Sequence, residues 1–390
     1  MRINDKRRSN KISNLQFASI VTGVALTINS IGLVLYQQQN RENTKQIAKK
    51  VNQSTPSPSL PPLPLVSHLP LADNSQLTYN ITTAPHFTES KQLQNIVDEI
   101  VDFTKDKQFP IKPLSITLIN LDNAEYAGYQ QEKFRYPASV VKLFWMVYLY
   151  AQIEKGILSE ADFTRSLDEM IKKSDNEAAS KILDKITKTQ YHKNIQGEEY
   201  KKWKNDRLQV NQYFQQAGYK EINVSQKTFP IPYLNLSMPK GSEFKLRDNP
   251  QQPIRNQIST QQVARLLYEV DKKQSVSATS SNKMQKLLTI DSHTRNTKKD
   301  DKSTDEFNSV RGFLSEDLPN DIRFRGKAGW TSDSRNDAAI ISTPDGKVAY
   351  ILVVFADDSS YAEDWKIFPQ ISHLVFERMK KKEKSGFHQI

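Results

Sequence analysis

Residues 134–152 read FRYPASVVKLFWMVYLYAQ, and Lys142 is the only charged residue between Ser139 and Gln152. A helix that is apolar on nearly every side is a buried helix, so this segment predicts a helix in the core of the fold. Burial disfavours a charged ammonium group and lowers the pKa of a lysine unless an acid pairs with it. The segment therefore predicts a lysine of lowered pKa one helical turn after Ser139.

The spacing of Ser139 and Lys142 suits covalent catalysis. A lysine of lowered pKa can accept a proton near neutral pH, and Ser139 lies three residues earlier on the same helical face. Free N–H groups at the start of a helix favour a developing anion, so the pair fits a serine nucleophile activated by a lysine. The structural alternative is a serine that caps the helix and a lysine that extends to solvent.

Two further stretches carry polar groups suited to the same chemistry. Ser-Asp-Asn at 174–176 precedes a helical pattern, although Ser174 and Glu177 also fit a capping box. GKAGWT at 326–331 reads as a strand in which glycines on both sides of Lys327 allow another backbone to approach closely. A substrate amide could pair along that edge, and an ordinary edge strand with a protective lysine is the alternative.

The apolar periodicity of the rest of the chain predicts an ordered series of helices and strands. Helices are predicted at Glu89–Lys105, Ser139–Ile153, Glu160–Lys173, Glu177–Ile186, Val210–Ala217, Thr260–Val270 and Asp364–Lys380. Strands are predicted at Leu114–Leu121, Glu125–Gln130, Arg323–Lys327, Asp337–Ser342 and Val348–Phe355. This order indicates an α+β fold, with an antiparallel sheet built from both ends of the domain and a helical insertion between them.

The order of the three motifs resembles that of the active-site serine penicillin-recognising enzymes, and the similarity is greatest to class A β-lactamases. The motifs are Ser-x-x-Lys at 139–142, Ser-Asp-Asn at 174–176 and Lys-x-Gly at 327–329. The resemblance extends over residues 85–390. It implies a β-lactamase/D,D-peptidase-like α+β fold, in which an antiparallel sheet is packed with helices and an all-helical subdomain borders the active site.

The resemblance implies roles for three catalytic residues. Ser139 would be the acylated nucleophile, and Lys142 would be its base or proton relay. Ser174 would pass a proton to the leaving nitrogen.

The resemblance also implies how substrate is held. Asn176 would bind the amide side chain of the substrate, and Lys327 would attract its carboxylate. The backbone N–H groups of the nucleophile and of Trp330, which follows Gly329, would form the oxyanion hole. Thr331 is a further candidate for substrate binding at the end of this strand.

Two departures from the family pattern bear on activity. The middle residue of the third motif usually carries a hydroxyl that helps to bind the substrate carboxylate. Here it is Ala328, and the candidates to replace that hydroxyl are Thr331, Ser332 and Arg335.

The second departure concerns hydrolysis of the acyl-enzyme. Class A β-lactamases place a Glu-Pro pair on the Ω loop, and that Glu activates the deacylating water. Here Phe229 precedes the Pro that aligns with this pair, while Glu221 comes too early and Glu243 too late. An extra charge-rich segment, 188–207, also precedes the loop. The sequence therefore predicts slow deacylation.

The first forty residues predict a membrane anchor. Leu15–Tyr36 contains no charged residue over 22 positions, and about 20 apolar residues span a bilayer. A buried soluble helix is the alternative, but polar segments flank both ends. The predicted organisation is a basic cytoplasmic tail (1–13), a transmembrane signal anchor (14–36), a polar and Pro-rich linker (37–84) and a hydrolase domain (85–390).

Composition excludes several kinds of site. The chain of 390 residues has no cysteine, which excludes disulfides, thiolate metal sites and a cysteine nucleophile. Its six histidines include no pair at i, i+3 or i, i+4, so a compact zinc site built on histidines is not expected. A net charge of +11 suits an anionic partner without choosing among nucleic acid, lipid and cell-wall polymer.

The leading functional prediction is a serine hydrolase anchored in the bacterial cell membrane, with its domain on the periplasmic or extracellular side. It would act on β-lactams or peptidoglycan peptides through a Ser139 acyl-enzyme, without a cofactor or a nucleic-acid partner. One alternative is a non-catalytic or permanently acylated cell-wall binding module that senses β-lactams. Another is a promiscuous esterase.

Overall fold

The middle of the sheet consists of three strands whose side chains are almost all buried. The computed structural model describes residues 77–81, 83–301 and 307–386. The three strands are β2 (Leu114–Asn120), β6 (Ser334–Ser342) and β7 (Ala349–Ala356). Successive side chains of β7 alternate between two separate hydrophobic clusters, as the two-residue period of a strand requires. The sheet is therefore covered on both faces.

The remaining strands extend the sheet to seven. They are β1 (Thr88–Glu89), β3 (Glu125–Tyr129), β4 (Thr289–Ile290) and β5 (Arg323–Thr331), and the strand order is β1-β3-β2-β7-β6-β5-β4. Strands from both ends of the domain lie side by side in antiparallel pairs, which confirms the predicted α+β arrangement. The short edge strand β1 runs parallel to β3, so the sheet is mixed rather than wholly antiparallel.

Helices cover the two faces of the sheet. They are α1 (Lys91–Asp106), α2 (Lys142–Glu154), α3 (Thr164–Lys172), α4 (Asn176–Ile186), α5 (Gly197–Gln216), α6 (Gly241–Lys245), α7 (Thr260–Asp271), α8 (Ala278–Leu288), α9 (Ser292–Lys299), α10 (Ser359–Glu363) and α11 (Ile367–Gly386). Helices α1 and α11 contribute to the cluster on one face. The helices of the predicted insertion, including α2, α4, α7 and α8, pack in the cluster on the other face.

Helix α5 is much longer than the predicted Val210–Ala217 and includes part of the extra segment 188–207. Its buried side chains include Trp203, Arg207, Val210 and Phe214, which recur at helical spacing. The sequence prediction missed this face because a charged residue stands in the middle of it. Arg207 is buried there because acidic side chains pair with it.

Residues 77–81, which belong to the predicted linker 37–84, pack on the domain. Tyr79 is 4% exposed, and its hydroxyl donates a hydrogen bond of 2.5 Å to Glu269. The predicted anchor at 14–36 and the linker up to residue 76 lie outside the described residues. Within the part that the structure describes, no helix is both long enough and apolar enough to cross a membrane.

Candidate active site

Ser139 lies in a tight turn that leads into the buried helix. The turn is a 3-10 helix over Ala138–Val141, and the α-helix α2 begins only at Lys142, whereas an α-helix was predicted from Ser139. Ala138 has a φ of +46°, a left-handed conformation that an α-helix does not contain. Ala138, Val140 and Val141 are buried, while Ser139 is half-buried. The apolar neighbours thus fix the backbone around a more accessible serine.

Strand β5 contacts this turn through its backbone. A β-carbon on Gly329 would lie 2.8 Å from the Ser139 amide nitrogen and 2.9 Å from the Pro137 carbonyl oxygen. Such distances exclude a side chain without a backbone shift, so glycine is required here for the close approach. The approach brings the backbone of Ser139 next to that of Gly329 and the following Trp330.

Two lysines converge on the hydroxyl of Ser174. Lys327 Nζ donates to Ser174 Oγ over 2.8 Å, and Lys142 Nζ lies 3.4 Å from the same oxygen. Lys142 also donates to the Ser174 carbonyl oxygen at 2.5 Å and to Asn176 Oδ1 at 2.9 Å. Four of the predicted site residues, from three separate motifs, therefore form one hydrogen-bonded group.

The predicted capping box at Ser174 does not form. Asp175 is the N-cap of helix α4 and accepts a hydrogen bond of 2.6 Å from the Ala178 amide. Ser174 adopts a left-handed φ of +57° just before the helix, and its side chain binds the lysines instead. One residue of the motif therefore caps the helix, while its neighbours on either side contact Lys142.

Burial dominates the electrostatics of the two lysines. It lowers the pKa of Lys142 well below its ordinary value, and the charge of Lys327 lowers it further against an opposing effect of Asp175. Burial likewise lowers the pKa of Lys327 to about 7, although the Asp337 carboxylate acts in the opposite direction. Both amines therefore lose a proton more readily than an exposed lysine does.

Asp337 is a buried acid near the site and is not among the residues predicted from the sequence. It pairs with Ala328 across strands β5 and β6 and accepts hydrogen bonds from the Leu314 and Ala338 amides. Burial raises the pKa of its carboxyl to about 6, and these two amides act against that rise. The sequence feature that could have identified Asp337 is its position as a lone acid in the otherwise apolar strand segment NDAAII.

The three candidates to replace the hydroxyl missing at Ala328 differ in their burial and in the hydrogen bonds that their side chains already make. Arg335 donates to the carbonyl oxygens of Gly312, Tyr361 and Ala362, and it is fully buried, so its guanidinium is not accessible to a substrate. Ser332 is exposed and donates to Asp333. Thr331 is half-buried, and its hydroxyl lies 2.8 Å from that of Ser334.

The exposed ring of Trp330 lies on the same strand. Trp330 is 43% exposed, and its indole N–H donates to the Ala362 carbonyl oxygen over 2.8 Å. The ring centroid of Trp365 lies 6.3 Å away.

Neither Phe229 nor Glu243 supplies a carboxylate that is free to activate a water molecule. Phe229 is half-buried, and the peptide between it and Pro230 is cis. Glu243 is buried, and both of its carboxylate oxygens bind Arg207, at 3.0 and 3.1 Å, while Lys227 lies 3.6 Å away. Glu221 is exposed at the surface. Across the described ranges, no cluster of histidine and acidic side chains could hold a metal ion.

Comparison with known proteins assigns the chain to a family. The model of the beta-lactamase enzyme family matches residues 90–165 and 162–379. No curated protein sequence matches the chain. A β-lactamase from Sphaerobacter thermophilus DSM 20745 is similar in structure, with a TM-score of 0.51 and 15% identity over 73% of this chain and 97% of that one.

The protein PBP-A is similar to the same extent. Its TM-score is 0.50, with 16% identity over 76% of this chain and 99% of that one. Its L158E mutant, solved as an acyl-enzyme complex with penicillin G, has a TM-score of 0.51 and 15% identity over the same shares. The structural matches agree with the fold, and the family model covers most of the described domain. The chain therefore belongs to the beta-lactamase enzyme family.

Proposed function

We propose that the protein is a serine hydrolase that forms an acyl-enzyme at Ser139 with β-lactams or peptidoglycan peptides. The observation that carries this proposal is the hydrogen-bonded group of Lys142, Ser174, Asn176 and Lys327 on a structure whose strand β5 abuts the Ser139 turn. The L158E mutant of PBP-A, which is similar in structure, is an acyl-enzyme complex with penicillin G. That adduct is of the kind we propose for this chain.

Acylation would proceed through the two lysines and Ser174. The neutral amine of Lys142 takes the Ser139 hydroxyl proton as Oγ bonds to the substrate carbonyl carbon. The resulting oxyanion accepts hydrogen bonds from the backbone N–H groups of Ser139 and Trp330. When the C–N bond breaks, the leaving nitrogen takes the Ser174 hydroxyl proton, and Lys142 returns a proton to Ser174 across 3.4 Å.

Asn176 and Lys327 would hold the substrate on either side of this bond. The Asn176 amide would bind the amide of the acyl side chain, and the Lys327 ammonium would attract the carboxylate. Lys327 contacts Ser174 directly, so its charge also stabilises the anionic form of that hydroxyl during the relay.

The same site supports a second candidate, a β-lactam sensor that stays acylated. The observation that favours it is the lack of a free base at two positions. Phe229 carries no basic group, and Glu243 is bound by Arg207. Acylation would then proceed while hydrolysis of the adduct is slow. Intact-protein mass spectrometry over time, after exposure to benzylpenicillin, separates the candidates: an adduct that decays marks a hydrolase, a persistent adduct marks a sensor, and no adduct contradicts both.

We expect acylation to be fastest near neutral pH. Burial lowers the pKa of Lys327 to about 7, so its charge, needed for the substrate carboxylate, is lost as the pH rises above that value. As the pH falls, protonation of Lys142, whose pKa burial also lowers, removes the base. The second-order acylation rate constant, measured from pH 5 to 9, should therefore pass through a maximum. A Lys327→Arg variant keeps its charge and should lose the alkaline fall, whereas a flat wild-type profile would contradict these roles.

We further propose that residues 14–36 anchor the protein in the bacterial cell membrane, with residues 1–13 in the cytoplasm. The supporting observations are the charge-free apolar run, the basic residues before it and a catalytic site of the kind that meets cell-wall substrates. A protease added to intact spheroplasts should remove the domain at 85–390. Full protection of that domain, with a known outward-facing protein cleaved in the same sample, would contradict this topology.

A further inference from the structure

Two arginines face aromatic rings beside the Ser139 turn. The Arg255 guanidinium carbon lies 5.7 Å from the ring centroid of Tyr136, three residues before Ser139. The Arg247 guanidinium carbon lies 6.0 Å from the ring centroid of Phe229. Both positive charges act on the Tyr136 hydroxyl, where they oppose the rise in pKa that burial causes. The three polar groups therefore form one cluster.

Backbone pairing explains why this cluster borders the site. Ile258 and Arg135 exchange both of their backbone hydrogen bonds, at 3.0 and 3.1 Å, just before the Ser139 turn. Asn256, next to Arg255, binds the backbone of Gln226 on the loop that leads to Phe229. The segment that carries Arg255 thus lies between the turn of the nucleophile and the loop that aligns with the Ω loop.

The two guanidinium groups have no acidic partner among the residues that the structure describes. Neither makes a side-chain hydrogen bond or ion pair there, whereas Arg207 and Arg265 both bind glutamates. Burial lowers the pKa of Arg247, and repulsion from Arg255 lowers it further, while Tyr136 and Glu243 oppose the change. Glu243 is already bound through both oxygens to Arg207. Two neighbouring like charges, with no acidic side chain paired to them among the described residues, favour an anionic ligand.

The cluster lies on the acyl side of the proposed reaction. The loop that contains Phe229 packs along helix α4, because Lys227 binds Asp184 at 2.6 Å and the Tyr233 amide binds Glu177 at 3.1 Å. Helix α4 begins at Asn176, the proposed ligand of the acyl side-chain amide. A substituent beyond that amide would therefore extend toward this loop and toward Arg247 and Arg255, which lie beside it.

We propose that Arg247, Arg255 and the Tyr136 hydroxyl form a subsite for a carboxylate on the acyl side chain of the substrate. The inference rests on the proposed function and specifies its substrate class: acyl donors with an anionic side chain react faster than neutral ones. A guanidinium pair can donate several hydrogen bonds to one carboxylate, and Tyr136 adds a hydroxyl donor.

Benzylpenicillin and carbenicillin test this subsite because they differ by one carboxylate on the acyl side chain. The wild-type protein should be acylated faster by carbenicillin, and Arg247→Gln/Arg255→Gln should reduce that rate constant about tenfold, as expected for two partly exposed charge pairs. The rate with benzylpenicillin should change less than about twofold, since the variant leaves the Ser139 chemistry in place. An Arg165→Gln/Lys155→Gln variant loses the same charge at a distance and should behave as wild type.

Equilibrium binding distinguishes failure of the subsite from failure of the proposed function. In a Ser139→Ala background, calorimetry should show tighter binding of carbenicillin than of benzylpenicillin, and the double arginine variant should remove the difference. Equal binding of the two compounds to the Ser139→Ala protein would overturn the subsite. A carbenicillin preference in binding, with no acylation of the wild-type protein by either compound, would uphold the subsite and overturn the serine hydrolase.

Discussion

A Ser139→Ala variant is expected to take no covalent label from a fluorescent penicillin. The nucleophilic oxygen is the only atom of Ser139 that bonds to substrate in the proposed reaction, so an alanine leaves no atom there to accept the acyl group. Labelling is measured by in-gel fluorescence and by the mass of the intact protein. An unchanged melting temperature should accompany the loss, because the substitution removes one half-buried hydroxyl from the turn.

Lys142→Ala is expected to lower the acylation rate constant by about a hundredfold or more, the usual size of a lost general base. Removal of this buried side chain also breaks its contacts with Ser174 and Asn176. A Lys142→Met variant keeps most of the apolar bulk in the core, so equal rate losses in the two variants would assign the effect to the amine rather than to packing. Mapping of the labelled peptide to Ser174 would show that the roles are wrongly assigned.

The hydrogen-bonded group of Lys142, Ser174, Asn176 and Lys327 was predictable because each of its members lies in a short local pattern. An apolar run with one lysine predicts a buried amine, and the structure has Lys142 fully buried. The resemblance supplied the other two motifs. The contact between Lys327 and Ser174 could not be derived from spacing, since 153 residues separate them along the chain and only the packing of β5 against the helices brings them together.

Features that depend on long-range compensation were missed. Helix α5 buries Arg207, which an amphipathic pattern treats as a surface residue, and its partner Glu243 lies 36 residues away. Tyr79 falls in the predicted linker 37–84, whose Pro-rich run at 56–65 indicates extended chain, yet its hydroxyl shares Glu269 with that of Tyr219. In both cases a buried acid from a distant segment allows the residue to pack in the interior. The local hydrophobic periodicity of the sequence does not show such a partner.

Hydrolysis of the acyl-enzyme is expected to be much slower than its formation. Acylation uses Ser139, Lys142 and the backbone N–H groups, whereas activation of the deacylating water needs a base that neither Phe229 nor the Arg207-bound Glu243 supplies. Loss of such proton-transfer help typically lowers a rate by about 10² to 10⁴. A pre-steady-state trace with a chromogenic cephalosporin should therefore show a burst equal to the enzyme concentration and then a slow phase. Fast turnover without a burst would mean that another group activates water.

A carboxylate at position 229 should restore part of the missing step, so Phe229→Glu is expected to speed the slow phase by about tenfold, below the full range for a general base. The gain is limited because the Arg247 guanidinium lies 6.0 Å from the ring that the new side chain replaces, and a paired carboxylate is a weaker base. Adding Arg247→Gln should therefore raise the rate further.

Phe229→Gln is the matched control, because glutamine has the same length as glutamate and no basic oxygen. Equal rates for the Glu and Gln variants would show that loss of the phenyl ring, rather than a new base, admits the water.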